Sequence, residues 1–549
     1  MAVGGSSWVG QPRIRGSTES MQMILLTFSM IGLQFAWGTE TIYGSPYLLN
    51  LGLSKSDLSL VWVAGPLSGL VMQPIIGMVS DSSKSKYGRR RPFMIGGAVA
   101  VCICMLILGW ASEIIGLFVA DEARIRQNAI RLAVVDIYVL DFVINISQST
   151  CRALVVDTLP VEKQQLGSAW VSRMSGVGQL LIYGIGSLDL KRMMGNFLGE
   201  SQFKKLCIVT AFTMLSTQGL TCWMVQERVL VADGRASDSN GGLMSVLTQI
   251  YSTTRNLPES IQAICRVQFW SWIGYFPFLF YGSTWVGEIY LRNAGPSEND
   301  ALTEVGRAGS VAFIAFAITS FASSIVMPWI IKSPEDDQGQ SFTPRPPAVL
   351  SPFLRKYKPT KPTLLTAWAC GNLMFAASMV FAPFVTSVHF ATILIALCGI
   401  PWAVAGWAPG TFLGIEVNRM SSSIPLSMSA RRMSNDSIEM DSRSSSPLAL
   451  HLRHDSGSSA IDTTSTGELS GIYFGILNIY TTLPQFVGTG ISWVVFSILE
   501  PGKSRELTTP GGSDGLNSKN GLSGIGVCLC IGAVSAVVAA WATRRLKHV

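Results

Sequence analysis

Apolar residues recur along this chain in runs of about 20, separated by short polar turns. A helix needs that length to cross a bilayer, so the pattern predicts membrane-spanning helices from end to end. Twelve are expected, at 21–47, 57–80, 93–113, 132–156, 165–188, 205–225, 262–290, 308–331, 363–385, 389–414, 470–498 and 521–543. The first run is too long for the apolar core of a cleavable signal, and no cleavage site follows it. A polar stretch, 227–260, divides the spans into two six-helix halves, 21–226 and 261–544. Residues 1–20 and 545–549 read as tails, the first of them flexible. Residues 419–469 are rich in Ser, Arg and Asp and poor in apolar residues, so they read as a disordered loop. The fold class is therefore an all-α membrane protein of twelve transmembrane helices.

The fourth span departs from the apolar pattern. Asp141, Asn145, Gln148 and Arg152 stand at i, i+4, i+7 and i+11, which is one helical face. A charge near the bilayer centre costs about 2.5–3.5 kcal/mol on insertion scales, so such a stripe belongs on a water-filled path inside a bundle. Asp141 and Arg152 are about 16 Å apart along the helix axis and cannot pair with each other. Each needs a partner elsewhere or a changeable protonation state.

Composition narrows the class. Of the 549 residues 48% are hydrophobic and 14% charged, far fewer charges than a soluble domain carries. Ten cysteines lie mostly inside apolar runs without CxxC spacing, and four histidines are scattered, so neither a disulfide framework nor a metal centre is expected. The net charge of +7 sits mostly in the loops and is a topology signal rather than a mark of nucleic-acid binding. Loops on the side of both termini hold roughly twice the Lys and Arg of the opposite loops, which makes the termini cytoplasmic. Asp141 then lies toward the outside and Arg152 toward the inside. In the cytoplasmic loop, Arg431-Arg-Met-Ser434 and Ser446-Pro447 have the form of kinase sites. No Ser–His–Asp order, metal-ligand cluster or phosphate-cradling loop suggests an enzyme.

The loop after the second span reads Gly77-Met-Val-Ser-Asp81, then Gly88-Arg89-Arg90-Arg91-Pro92. It resembles the signature loop of the major facilitator superfamily, in which Asp81, Gly88, Arg89, Arg90 and Arg91 would be structural or gating residues. Four segments carry a finer resemblance: Gly32-Leu-Gln-Phe-Ala-Trp37 with Ser45-Pro-Tyr47, Ala64-Gly-Pro-Leu-Ser-Gly69 with Gln73-Pro74, Ser80 to Phe93, and Leu140 to Leu154. Together with Trp272 to Glu288, they resemble the plant and fungal sucrose/α-glucoside–proton symporters of the glycoside–pentoside–hexuronide–cation symporter group.

The resemblance implies that Asp141 is the proton site and that Arg152 is required for sugar transport. Where the plant pattern has two acids before the seventh-span Trp, this chain has Gly282 and Thr284, and Glu288 stands without a preceding Arg. Glu40 is an acid where the plant pattern is uncharged, which moves the likeness toward the fungal branch. Glu40 is thus a second proton-coupling candidate; the other readings of it are a sugar contact or a latch to the fourth or fifth span.

Sugar recognition needs groups that both donate and accept, plus flat aromatic surface. Gln34, Trp37 and Thr41 offer one stripe, and Asn478, Thr482, Gln485 and Thr489 another, with Pro484 expected to bend that helix. Interhelical glue is the competing reading of both stripes. Phe269, Trp270, Trp272, Tyr275 and Phe276 suggest a stacking wall or an interfacial belt, and Arg173 is expected to snorkel or to pair with an acid. The reading is a secondary active transporter, monomeric as a transport unit, taking up sucrose or maltose with a proton as coupling ion and no bound cofactor. The plasma membrane is the expected site, with the vacuolar membrane as alternative. The functional alternatives are a sugar uniporter, a proton–monosaccharide symporter and a transporter-like nutrient sensor.

Overall fold

The computed structural model describes residues 7–232, 255, 257–294, 301–331, 361–433, 459–500 and 523–547, apart from residues 82, 161, 162, 196 and 198. The helices of the first half are α1 (Glu19–Leu51), α2 (Lys55–Gly77, continuing to Asp81), α3 (Arg91–Gly109), α4 (Glu122–Thr158), α5 (Gln164–Ser187) and α6 (Gln202–Met224). Those of the second half are α7 (Glu259–Ala294), α8 (Ala301–Ile330), α9 (Leu364–Met379), α10 (Val388–Val417), α11 (Ser459–Leu499) and α12 (Gly524–Ala542). Nine helices among the described residues are long and apolar enough to cross a membrane. The other three are interrupted by polar residues, such as Asp141 and Arg152 in α4, Arg173 in α5 and Glu288 in α7, and they pack among the nine.

Close packing and buried hydrogen bonds, such as Thr39 to Thr210 at 2.7 Å and Ser271 to Asn372 at 3.0 Å, join the helices within each half. In the second half α7 lies against α12, and Gly274 and Gly532 bring the two backbones so close that a Cβ on either would collide with the other chain. The halves meet where α5 lies against α8, α2 against α11, and the end of α1 against α7 and α8. At the first seam Gly176 leaves room for the Phe321 ring, and Gly186 for Ser310.

Two readings of the chain ends are corrected. The N-terminal tail is not a free segment: β1 (Ser7–Val9) pairs antiparallel with β4 (Val229–Ala232), and β2 (Arg13–Ile14) with β3 (Val225–Gln226). The residues after α6 offer an open edge rich in valine, a β-branched residue suited to strands, and the tail supplies the second strand that edge needs. The Ser-rich segment is helical at both ends: the helix of α10 continues to Met433, and α11 begins at Ser459. Once a long span is nucleated, each added residue gains a backbone hydrogen bond, so the helix outlasts its apolar stretch. Ser434 and Ser446-Pro447 lie outside the described residues. Helix α11 runs through Pro484.

Gly274→Val tests the close packing of α7 on α12. Forcing side-chain atoms into filled space costs about 1–3 kcal/mol, so the purified variant should melt several degrees lower. An unchanged midpoint would show that the two backbones separate freely.

Candidate functional site

The polar stripe of α4 behaves as its spacing foretold. Asp141 and Asn145 are buried, Gln148 is half-buried and Arg152 is exposed, so the stripe opens progressively toward the face that carries the 225–232 strands. Beside it, α2 passes closely because its contacting positions are small: Gly65 lies against Asp141, and Gly69 against Asn145. Asn145 Nδ2 donates to Ser68 Oγ at 2.8 Å and to the Asp141 carbonyl at 3.0 Å.

Helix α1 reaches the stripe from the other side through a break in its regularity. Glu40–Gly44 form one π-helical turn, a wide turn that recurs at functional sites. It places Glu40, 2% exposed, against Asp141, 0% exposed, with the two carboxyls within hydrogen-bonding reach of each other. Among the described residues none of the four oxygens accepts a hydrogen bond from an N–H or O–H donor. Nor does any Lys or Arg among them form an ion pair with either acid, so each carboxyl has chiefly the other for company. Asp136, also buried, turns away toward Cys104 and does not join them.

Sugar-facing candidates separate into two groups. Asn478 Nδ2 donates to Gln73 Oε1 at 3.1 Å, and Gln73 Nε2 reaches Asn145 Oδ1 at 3.5 Å, so an amide chain crosses the α2–α11 seam into the stripe. Thr482 and Thr489 instead donate to the carbonyls of Asn478 and Gln485 at 2.9 Å, and Gln485 to that of Thr481 at 3.1 Å, all within their own helix. Gln34, Trp37 and Thr41 are half-buried; the Trp37 Nε1 has no hydrogen-bond partner among the described residues. Trp272 meets Trp402 at 5.9 Å and Tyr275 at 6.3 Å between ring centroids, while Trp270 faces outward. The Arg173 guanidinium lies over the Trp170 ring, 5.1 Å from the centroid, and forms no ion pair with an acid among the described residues. Gln73 was legible only as part of a motif, and its role across the seam had no signal in spacing.

The signature loop is a clasp on α4. Arg89 and Arg90 both hold Asp157, with Nε to Oδ2 distances of 3.0 and 2.8 Å, and Arg90 also reaches Ser80. Glu227, just beyond β3, accepts the backbone N–H groups of Arg89, Arg90 and Arg91 at 2.9–3.0 Å, capping the positive end of α3. Burial pushes its carboxyl up from the ordinary range, and those three bonds pull it back down. Gly88, at φ +106°, takes a left-handed turn that leaves no room for a side chain beside Glu227. The Asp81 side chain lies outside the described residues.

On the opposite face the halves are shut. Lys55, at the start of α2, is buried between Glu288 of α7 at 2.5 Å and Glu500 after α11. This cation supplies the counter-charge that Glu288 lacks in sequence. Ser45 Oγ donates to the Phe280 carbonyl at 2.8 Å, and Ser283 Oγ to the Thr41 carbonyl at 3.1 Å. Arg307 reaches Asp189 at 3.4 Å across the α5–α8 seam. By contrast, Arg89 and Arg90 with Asp157, and Lys163 with Glu19 at 2.8 Å, are pairs inside the first half. Among the described residues the ion pairs that cross between the halves lie at the Lys55 face, and the exposed Arg152 end of the α4 stripe lies toward the strand face.

Residues 26–119 match the family described as MFS/sugar transport protein. The chain is 28% identical to the general alpha-glucoside permease of Schizosaccharomyces pombe, covering 96% of this chain and 94% of that one. It is 32% identical to the sucrose transport protein SUC4 of Arabidopsis thaliana over 51% of this chain and 57% of that one. Among solved structures, the nucleoside transporter NupG superposes with a TM-score of 0.52 at 12% identity, covering 96% of this chain and 99% of that one. A D-xylose-proton symporter superposes with a TM-score of 0.52 at 13% identity, covering 95% and 96%. The chain has the fold of these solved transporters. The Glu40–Asp141 pair and the amide chain stand together on α1, α2, α4 and α11. The Lys55 cluster is an electrostatic latch that ties α2 to α7 and to the end of α11.

Lys55→Met leaves the buried Glu288 facing the partly exposed Glu500, and removing one partner of a buried ion pair costs up to about 3–5 kcal/mol. The closed face should loosen. A cysteine placed at Ser45, 0% exposed, should then be alkylated at least about tenfold faster in the variant. Equal rates in both backgrounds would show that the latch does not hold the face shut.

Proposed function

We propose that this transporter carries an α-glucoside disaccharide, sucrose or maltose, into the cell together with one proton shared by Glu40 and Asp141. The observation that carries the reading is the contact between these two buried carboxyls without a cation. Two carboxylates this close cannot both hold charge in a dry site, and a hydrogen bond between them requires a proton on one. The names of the relatives support the sugar class. The Lys and Arg bias supports a cytosolic strand face, with both termini inside and the plasma membrane as the setting. The structure is then inward-facing, with the Lys55 latch on the outside.

The cycle follows from these parts. With the latch open, proton and sugar enter from outside. The proton removes one negative charge from the carboxyl pair and lowers the cost of enclosing it. The sugar hydroxyls replace the Asn478–Gln73–Asn145 bonds, because an amide can donate to and accept from vicinal hydroxyls. Trp37 Nε1 supplies a further donor, and Trp272 an apolar face. Once the latch re-forms, Gln148 and Arg152 line the exit toward the cytosol.

Expression in transporter-deficient cells tests this. Labelled sucrose or maltose should accumulate at acidic external pH and stop accumulating with a protonophore. Asp141→Asn should cut that accumulation at least about tenfold with normal surface expression, since one proton-coupled step is lost. Uptake that only equilibrates would make the protein a uniporter, and unchanged acid-driven accumulation in the variant would remove Asp141 from the coupling.

A further inference from the structure

Away from the transport path, α7 and α12 build a second feature on the strand face. Ala263, Arg266 and Trp270 fall on one side of α7, while Val538, Trp541, Ala542 and Arg545 fall at i, i+3, i+4 and i+7 along α12 and its last turn. These seven residues wall a crevice of about 230 Å³. Its walls are fixed to each other: Ser535 Oγ donates to the Trp270 carbonyl at 2.5 Å, one turn above the close Gly274–Gly532 approach. Both cations are held by local contacts. The Arg545 guanidinium lies 5.2 Å from the Trp541 ring centroid, and Arg266 Nη2 donates to Gln262 Oε1 at 2.7 Å. No acid is among the lining residues.

We propose that this crevice binds the phosphate of an anionic phospholipid headgroup. Two guanidiniums present planar forks of N–H donors, the arrangement that suits phosphate oxygens, between spans at a membrane surface. The occupant is a lipid rather than a soluble anion because the crevice opens outward. Trp270 and Trp541 are 39% and 56% exposed, the pose of tryptophans at headgroup level. Val534 and Val537, also exposed, continue the α12 surface from the crevice toward the bilayer centre, where acyl chains would lie. The lipid would brace α7, which carries Trp272 and Glu288, against α12. Its assignment to the cytosolic leaflet rests on the orientation proposed above; the chemistry of binding does not.

The test uses the full chain in nanodiscs, whose two leaflets are equivalent, so an error in orientation cannot mask binding. Discs of phosphatidylcholine alone are compared with discs containing phosphatidylserine, and lipid retained on the protein is counted by native mass spectrometry. Wild type should retain at least one phosphatidylserine more than Arg266→Gln/Arg545→Gln, with at least tenfold weaker binding in the variant. Phosphatidylserine should raise the melting midpoint of wild type alone. In discs of phosphatidylcholine alone both proteins should bind labelled sugar equally, which shows that the variant is folded. Equal phosphatidylserine retention, or equal retention of phosphatidylcholine and phosphatidylserine by wild type, would overturn the site. Displacement of the lipid by millimolar inorganic phosphate would overturn the lipid assignment in favour of a soluble anion.

Discussion

Two acids buried in contact inside a helix bundle constrain everything else in this molecule. The free energy of enclosing Glu40 and Asp141 depends on whether a proton is between them, because the low-dielectric interior offers neither acid a cation among the described residues. Around them the helices are arranged to permit the contact: glycines on α2 let α4 close in, and a π-helical turn in α1 re-aims Glu40. Regular α-helix at that point would direct the side chain elsewhere on the cylinder.

Charges farther from the centre are paired, which assigns them a different job. Lys55 holds one acid from α7 and another beyond α11, so the bond between the halves is electrostatic at one face. At the other face Arg89, Arg90 and Asp157 bind within the first half and stiffen it, with Glu227 capping α3 from the strand beside the tail. A transporter that alternates needs rigid halves and a breakable seam, and the distribution of ion pairs supplies both.

Much of this was written plainly in the sequence. Apolar run length placed nine helices among the described residues, most of them to within a few residues, because bilayer thickness sets that length. The stripe from Asp141 to Arg152 was legible because helical periodicity is local. What sequence withheld were contacts between distant segments. Glu40 and Asp141 stand about a hundred residues apart, and nothing in composition brings them together. Glu288 looked solitary because Lys55 comes from the other half. The tail looked free because two short strands gain stability only from the edge they meet after α6. Thr482 and Thr489 matched a sugar-binding stripe by spacing, yet a threonine in a helix can spend its hydroxyl on the preceding turn.

The central claim, a proton held between Glu40 and Asp141, is open to infrared difference spectroscopy on the purified protein near neutral pH. Wild type should show the carbonyl stretch of a protonated carboxylic acid that shifts on hydrogen–deuterium exchange and changes when sugar is added. Both Glu40→Gln and Asp141→Asn should abolish it. A spectrum without that band in wild type, or a band that persists in either variant, would contradict the account.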